Sequence, residues 1–312
     1  MAHVTFIHGI SNKPEQKALA ALWLTALCDE PSPLDLAAKG VSCEMVYWAD
    51  VLYEAPLAAE DGLEMVAAEE GVDLAGLAAS ADDNAEAAWI SAMQQRLGVT
   101  PDQHMGQDEG RGVPPEGTLS DGLERIPLPD FAKDAFLKHF LRDVHHYLFN
   151  VGFSPRPGVE YKVQDEIRSR FIAALRRGAS LEPPHVVISH SMGTVIAYDC
   201  LKRAAGCPAV DAFITMGSPL GIDEIQDKLR PEWSQDDGFP SERVRGKWIN
   251  FFDRIDPVSR LNPYLASDYR RNAVMFVEDV AQTNAGWWTH DVIRYLAGTA
   301  VRSGISGLLD VG

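Results

Sequence analysis

His185-Val186-Val187-Ile188-Ser189-His190-Ser191-Met192-Gly193-Thr194-Val195-Ile196-Ala197-Tyr198 decides how the rest of the chain is read. Its first five residues form a short β-branched apolar run, the composition of a buried strand. From Met192 to Ala205 the pattern is that of a helix. A strand that turns directly into a helix brings the two elements very close, so only small residues fit two before and two after the tip. Ser189 and Gly193 meet that demand, although the first position is more often glycine. The residue at the tip, Ser191, is forced into a strained backbone conformation that lifts its side chain above the sheet. It also opens the helix, where the dipole and the N–H of Met192 can face a developing negative charge. Ser191 is therefore the candidate nucleophile, whereas Ser189 points into the turn. The competing reading is a tight strand–helix turn without chemistry.

Working outward, strand-like and helix-like stretches alternate, the pattern of a parallel sheet. His3–Ile7 reads as a strand ending at His8-Gly9, Pro14–Cys28 as a helix and Val41–Trp48 as a second strand. After residue 150 the alternation resumes: helix at Tyr161–Arg177, strands at Ala212–Met216, Trp248–Phe252 and Ala273–Val280, and a last helix beginning at His290–Leu296. These pieces predict an α/β fold with a mostly parallel sheet of about six strands and helices on both faces. Residues 1–53 and 151–312 are its core, and 54–150 a helical insertion. No internal repeat is visible.

A serine nucleophile needs a base, and where the elbow is followed by its partners in the order Ser, acid, His, the base lies downstream. Ser191 is followed by a single histidine, His290. Two acids compete to orient it. Asp253 and Asp256 both follow the strand Trp248–Phe252. Asp256 is favoured because Pro257-Val258 would stiffen its loop, with Asp253 as the alternative. The other acid would brace the loop with Arg254 or Arg260. Asp256 would hold the imidazole in the useful tautomer and stabilise the imidazolium. Acyl transfer also needs a second oxyanion donor. His8-Gly9-Ile10 lies at the C-terminal end of the first strand, where such sheets gather their sites. The N–H of Ile10 would pair with that of Met192, with Gly9 allowing the turn and His8 fixing the loop rather than moving protons.

These residues resemble the α/β-hydrolase superfamily. Thr215-Met216-Gly217-Ser218-Pro219-Leu220-Gly221 is similar to the segment after the elbow strand in several lipase families, and Asp256-Pro257-Val258 resembles their acid loop. The resemblance covers about residues 1–50 and 160–305 and implies a lipase- or esterase-like serine hydrolase with a Ser191–His290–Asp256 triad and no cofactor or metal. The chain starts where this fold usually has its third strand. Insertions near the site in such proteins commonly act as lids, so 54–150 is a candidate lid or cap.

Charge is unevenly spread. The chain carries −17 overall, which argues against nucleic acid or an anionic membrane as main partner. Between Glu54 and Glu124 there are sixteen acidic residues against Arg96 and Arg111, or −14, which leaves −3 for the remainder. Within the insertion, 54–97 reads as two or three acidic helices and 99–129 as a long loop rich in Gly and Pro. The acidic stretch is a solubilising face, or else one that repels anionic substrates or docks a basic partner. Phe131–Phe149 reads as an amphipathic helix with Phe136, Leu137, Phe140, Leu141, Val144, Tyr147 and Leu148 on one face. That face either packs on the core or meets an acyl chain or lipid surface, so peripheral membrane contact stays open. His145-His146 reads as surface or helix-cap residues. Cys28, Cys43, Cys200 and Cys207 have no metal-like spacing and read as reduced. No apolar stretch is long enough to span a membrane and no secretory signal is visible, so the expectation is a cytoplasmic protein acting on a small-molecule or lipid acyl ester. The alternatives are an acyltransferase or thioesterase using the same triad, a non-catalytic interaction protein on such a frame, or an acyl-carrier or lipid-binding protein clamped by 131–149.

Overall fold

The computed structural model describes residues 1–58, 72–99, 130–272, 275–286 and 288–310. In chain order the elements are β1 (His3–Ile7), α1 (Gln16–Leu27), β2 (Ser42–Val46), α2 (Leu74–Ala79), α3 (Asn84–Leu97), α4 (Asp130–Leu148), β3 (Gly152–Arg156), β4 (Val159–Lys162), α5 (Val163–Gly178), β5 (His185–His190), α6 (Met192–Lys202), β6 (Ala212–Met216), α7 (Asp223–Lys228), β7 (Trp248–Phe252), β8 (Val277–Ala281), α8 (Val292–Ala297) and α9 (Thr299–Leu309). Six strands form one sheet in the order β2-β1-β5-β6-β7-β8, with every pairing parallel. The expected α/β architecture with a six-stranded, mostly parallel sheet is therefore present.

Strand periodicity builds the two faces. Val4, Phe6, Val186, Ile188, Ile214 and Phe251 pack with α1, α8 and α9 on one side. Ile7, Val187, Phe213 and Trp248 pack with α4, α5 and α6 on the other. All five residues of β1, β6 and β7 are buried, as are all six of β5. Strands covered on both faces need no polar side, which is why these runs are apolar almost throughout.

Several boundaries differ from the sequence reading. The helix expected at Tyr161–Arg177 begins only at Val163, because β4 pairs with β3 as an antiparallel hairpin. Its signal is Pro157-Gly158 between two short alternating runs, with Gly158 at φ 78°. The last strand occupies Val277–Ala281 rather than Ala273–Val280. The expected loop falls almost wholly on 100–129, and part of the acidic helical stretch on 59–71; both lie outside the described residues.

The insertion joins the core. Trp89, Ile90 and Met93 of α3 and Phe136, Phe140 and Val144 of α4 share one hydrophobic cluster with α5 and α6. All seven apolar residues predicted on one face of α4 are buried. The opposite expectation fails for His145 and His146, which are buried rather than superficial. His145 Nε2 lies 2.7 Å from Glu86 Oε1, so α3 supplies the polar partner that a surface reading did not require. Asp199 of α6, fully buried, fastens the layer further. It accepts Tyr147 Oη at 2.6 Å and both Arg168 Nε and Nη2 at 2.6 and 2.8 Å, joining α4, α5 and α6. No helix among the described residues is long and apolar enough to cross a membrane.

Buried histidines are spread through this framework. Burial pushes His185 on β5 down to about 4, helped by the neighbouring His3, and pushes His146 on α4 down to about 4, helped by His145. The unfolded chain takes up these protons near pH 6.5, while the folded chain refuses them until far lower pH. Stability should therefore fall as pH drops from about 6.5 toward about 4, by on the order of 1 kcal/mol per pH unit for each such histidine. Thermal melts across that window check this; a melting temperature that stays constant or rises contradicts it.

Candidate active site

The tip between β5 and α6 places Ser191 at φ 52° and ψ −129°. A non-glycine residue in that region stores roughly 1–3 kcal/mol of strain, so the surroundings must impose it. Ser191 N donates to Met216 O at 2.9 Å, and Thr194 N and Oγ1 donate to Ser191 O at 2.9 and 2.6 Å. Ser189 Oγ donates inward to Ile214 O at 2.8 Å, as its place in the turn requires. Space is the stricter condition. A Cβ on Gly9 would lie 2.7 Å from Ser191 Cβ, and one on Gly193 would lie 2.5 Å from His8 O. The end of β1 and the start of α6 are in backbone contact, and no larger residue fits either position.

His290 stands in the loop before α8, whose first turn is capped by Asp291 accepting from Ile293 N. Its Nε2 is 2.8 Å from Ser191 Oγ, and its Nδ1 is 2.8 Å from both Oδ1 and Oδ2 of Asp256. All three side chains are fully buried. Asp256, in the loop after β7, also accepts Val258 N at 2.8 Å, Ser259 N at 3.1 Å and Tyr295 Oη at 2.7 Å. Burial alone would raise this carboxyl, but His290 and these donors outweigh it and hold it below the ordinary carboxylate value. The carboxylate therefore keeps the imidazole proton on Nδ1 and leaves Nε2 free to accept from Ser191. The arrangement can draw the proton from a serine hydroxyl and stabilise the resulting imidazolium.

Of the two competing acids, the structure brings Asp256 to His290. Asp253 braces the loop instead. Its carboxylate accepts Ile255 N at 3.0 Å and Asn284 N at 2.6 Å. Both amides lie in chain that flanks the site, one in the loop after β7 and one in the segment leading to His290.

The two residues expected to supply oxyanion donors flank the contact between the end of β1 and the start of α6. Met192 opens α6, and Ile10 follows Gly9 in the loop beside Ser191. Among the described residues no acceptor engages the N–H of either. His8 is stacked on Trp48, its ring centre 4.7 Å away. Its Nε2 accepts Trp48 N at 3.0 Å, so its proton sits on Nδ1 and is donated to Gly9 O at 2.8 Å. Burial and the Lys13 charge push His8 down to about 3, keeping it neutral and in this role. Gly9 O and Ile10 N–H belong to one trans peptide, so anchoring the oxygen points the N–H the other way.

Three contributors, His190, Tyr295 and Trp288, escaped the sequence reading, and a fourth, Phe136, was read only as part of the apolar face of α4. His190 Nε2 donates to His290 O at 2.8 Å, tying the elbow to the base loop. Tyr295 reaches Asp256 from α8. Phe136 of α4 and Trp288 meet the His290 ring edge-on, at centroid distances of 5.2 and 6.0 Å. Tyr295 had a weak signal, one helical turn beyond His290. The others become neighbours only through the fold. Among the described residues no group of three or more His, Cys, Asp or Glu is placed to hold a metal ion.

No protein-family model matches the chain, and no curated protein matches it. One similar solved structure is an uncharacterized protein from Pseudomonas aeruginosa, at 11% identity and a TM-score of 0.28, covering 91% of this chain. The chain spans 40% of that protein's length, and a likeness of this degree carries no argument. The site is therefore argued from its own geometry.

Tyr295 supplies a prediction. Its hydroxyl donates to Asp256 and accepts Asp253 N at 3.0 Å. Tyr295→Phe leaves a buried amide without its acceptor and should lower stability by roughly 1–3 kcal/mol. Urea unfolding reads this, and a midpoint equal to that of the wild type would contradict the assignment.

Proposed function

We propose that this protein is a serine hydrolase of the α/β-hydrolase fold that cleaves a carboxylic ester through an acyl-enzyme. One observation carries the reading: an unbroken, fully buried hydrogen-bond chain from Ser191 Oγ through His290 to Asp256. The strained elbow supports it, as do the amides of Ile10 and Met192, which have no acceptor among the described residues.

In the proposed reaction Ser191 Oγ attacks the ester carbonyl carbon while its proton passes to His290 Nε2. The carbonyl π electrons move to oxygen, and the oxyanion is held by the N–H groups of Met192 and Ile10. The C–O bond to the alcohol then breaks, and His290 gives that alcohol the proton. Water repeats the sequence on the acyl-enzyme, releasing the acid and restoring Ser191. Phe136 and Trp288 beside His290 favour an apolar group on the substrate, in keeping with a lipid or other acyl ester.

A fluorophosphonate probe tests the nucleophile directly. Wild-type protein should label, Ser191→Ala should not, and His290→Ala should label weakly. Hydrolysis of p-nitrophenyl esters should fall by about 10³- to 10⁶-fold in either variant, with the fold checked by circular dichroism. Folded wild type that neither labels nor turns over esters of any chain length would overturn the proposal and favour an interaction role on this frame.

A further inference from the structure

The loop Gly9–Ser11 is held by more than His8. Lys13 is 2% exposed, and its Nζ donates to Ile10 O at 2.5 Å. Asp143 of α4 is fully buried, and its Oδ2 accepts Ser11 N at 3.0 Å. Ile10 O and Ser11 N–H are the two ends of one peptide group. A buried ammonium thus grips one end and a buried carboxylate the other. Ser11 itself stands at φ 67°, a left-handed conformation that a residue with a side chain adopts only when held. Its Oγ is buried without a hydrogen-bond partner among the described residues, so the side chain does not explain the conformation.

Asp143 is in turn prepared for this task. Arg142 donates to Oδ1 from Nε at 3.0 Å and from Nη2 at 2.7 Å, and Tyr53 Oη donates to Oδ2 at 3.1 Å. Lys13 is anchored through its backbone, whose carbonyl accepts Leu57 N at 3.0 Å. Taking an ammonium and a carboxylate out of water is expensive unless hydrogen bonds and opposite charges offset it. Here each is committed to the same peptide. With Gly9 O held by His8, every backbone polar group from Gly9 O to Ser11 N–H except Ile10 N–H is engaged among the described residues.

We propose that Lys13 and Asp143 are positioning residues that clamp the Ile10–Ser11 peptide and so hold the Ile10 N–H as the second oxyanion donor. The inference rests on the hydrolase reading above. It gives α4 a part in the chemistry: the helix that covers His290 with Phe136 also fixes the oxyanion loop with Asp143, one element governing both sides of the site.

The test uses Lys13→Met, Asp143→Ala and Asp143→Asn in the full chain, with a p-nitrophenyl ester and a trifluoromethyl ketone that forms a tetrahedral oxyanion adduct. Loss of a whole oxyanion donor costs about 10²- to 10³-fold in kcat. A donor left loose should therefore cost about ten- to a hundredfold in kcat, with KM within about twofold, and the ketone should weaken by the same factor. Asp143→Asn keeps a carbonyl oxygen for Ser11 N and should lose less than Asp143→Ala. Folded variants with wild-type kcat and ketone affinity would overturn the clamp while leaving the hydrolase reading intact; a wild type inert to fluorophosphonate would instead sink that reading. If the variants do not fold, a crystal structure of the wild-type ketone adduct decides. The clamp requires the adduct oxygen about 2.7–3.1 Å from Ile10 N, with Lys13 and Asp143 still on the peptide. An oxygen held elsewhere overturns it.

Discussion

Everything at this site follows from the close approach of two backbones. The start of α6 lies so near the end of β1 that neither Gly9 nor Gly193 has room for a Cβ. That contact presses Ser191 into its left-handed conformation and sets its hydroxyl beside the loop that carries Ile10. The strain is local, but its support is distributed. Parallel pairing of β5 with β1 and β6 fixes the strand, and Met216 O and Thr194 hold the tip. A looser packing of β1 against α6 would relax Ser191 and separate it from both His290 and the loop that carries Ile10.

The four central strands β1, β5, β6 and β7 were legible because each is buried on both faces and so reads as a mostly apolar run, whereas the edge strands β2 and β8 are only partly buried. Ser191, His290 and Asp256 were legible for different reasons: Ser191 and Asp256 follow recognisable strands, where small or rigid neighbours mark the turn, and His290 is the single histidine downstream of Ser191. Asp256 outranked Asp253 on the stiffness of Pro257-Val258, and the structure gives a fuller reason. Asp256 gathers Val258 N, Ser259 N and Tyr295 Oη around it, whereas Asp253 accepts Ile255 N and Asn284 N. Those partners come from chain folding back on itself, which no spacing encodes.

The insertion was least legible. Its helix α4 was recognised from one apolar face, yet charged and polar residues on its other faces are buried too. Asp143 meets a loop 132 residues earlier, and Tyr147 meets Asp199 52 residues later. A residue such as His145 looks superficial when its apolar neighbours are counted on a helical wheel. Glu86, contributed by a separate helix, makes its burial affordable. Sequence periodicity detects burial against one partner layer; it does not detect a helix enclosed by two.

The depth at which α4 is built in constrains how this chain can vary. Here, excising 54–150 would strip the Ser11 amide of its carboxylate, remove Tyr147 from the buried Asp199 and lay open the apolar faces of α5 and α6. A shortened chain would lose the site's scaffolding along with its cover. Changes of length are better tolerated where no such bonds cross, and the segment is in this sense an organ of the fold rather than an accessory to it.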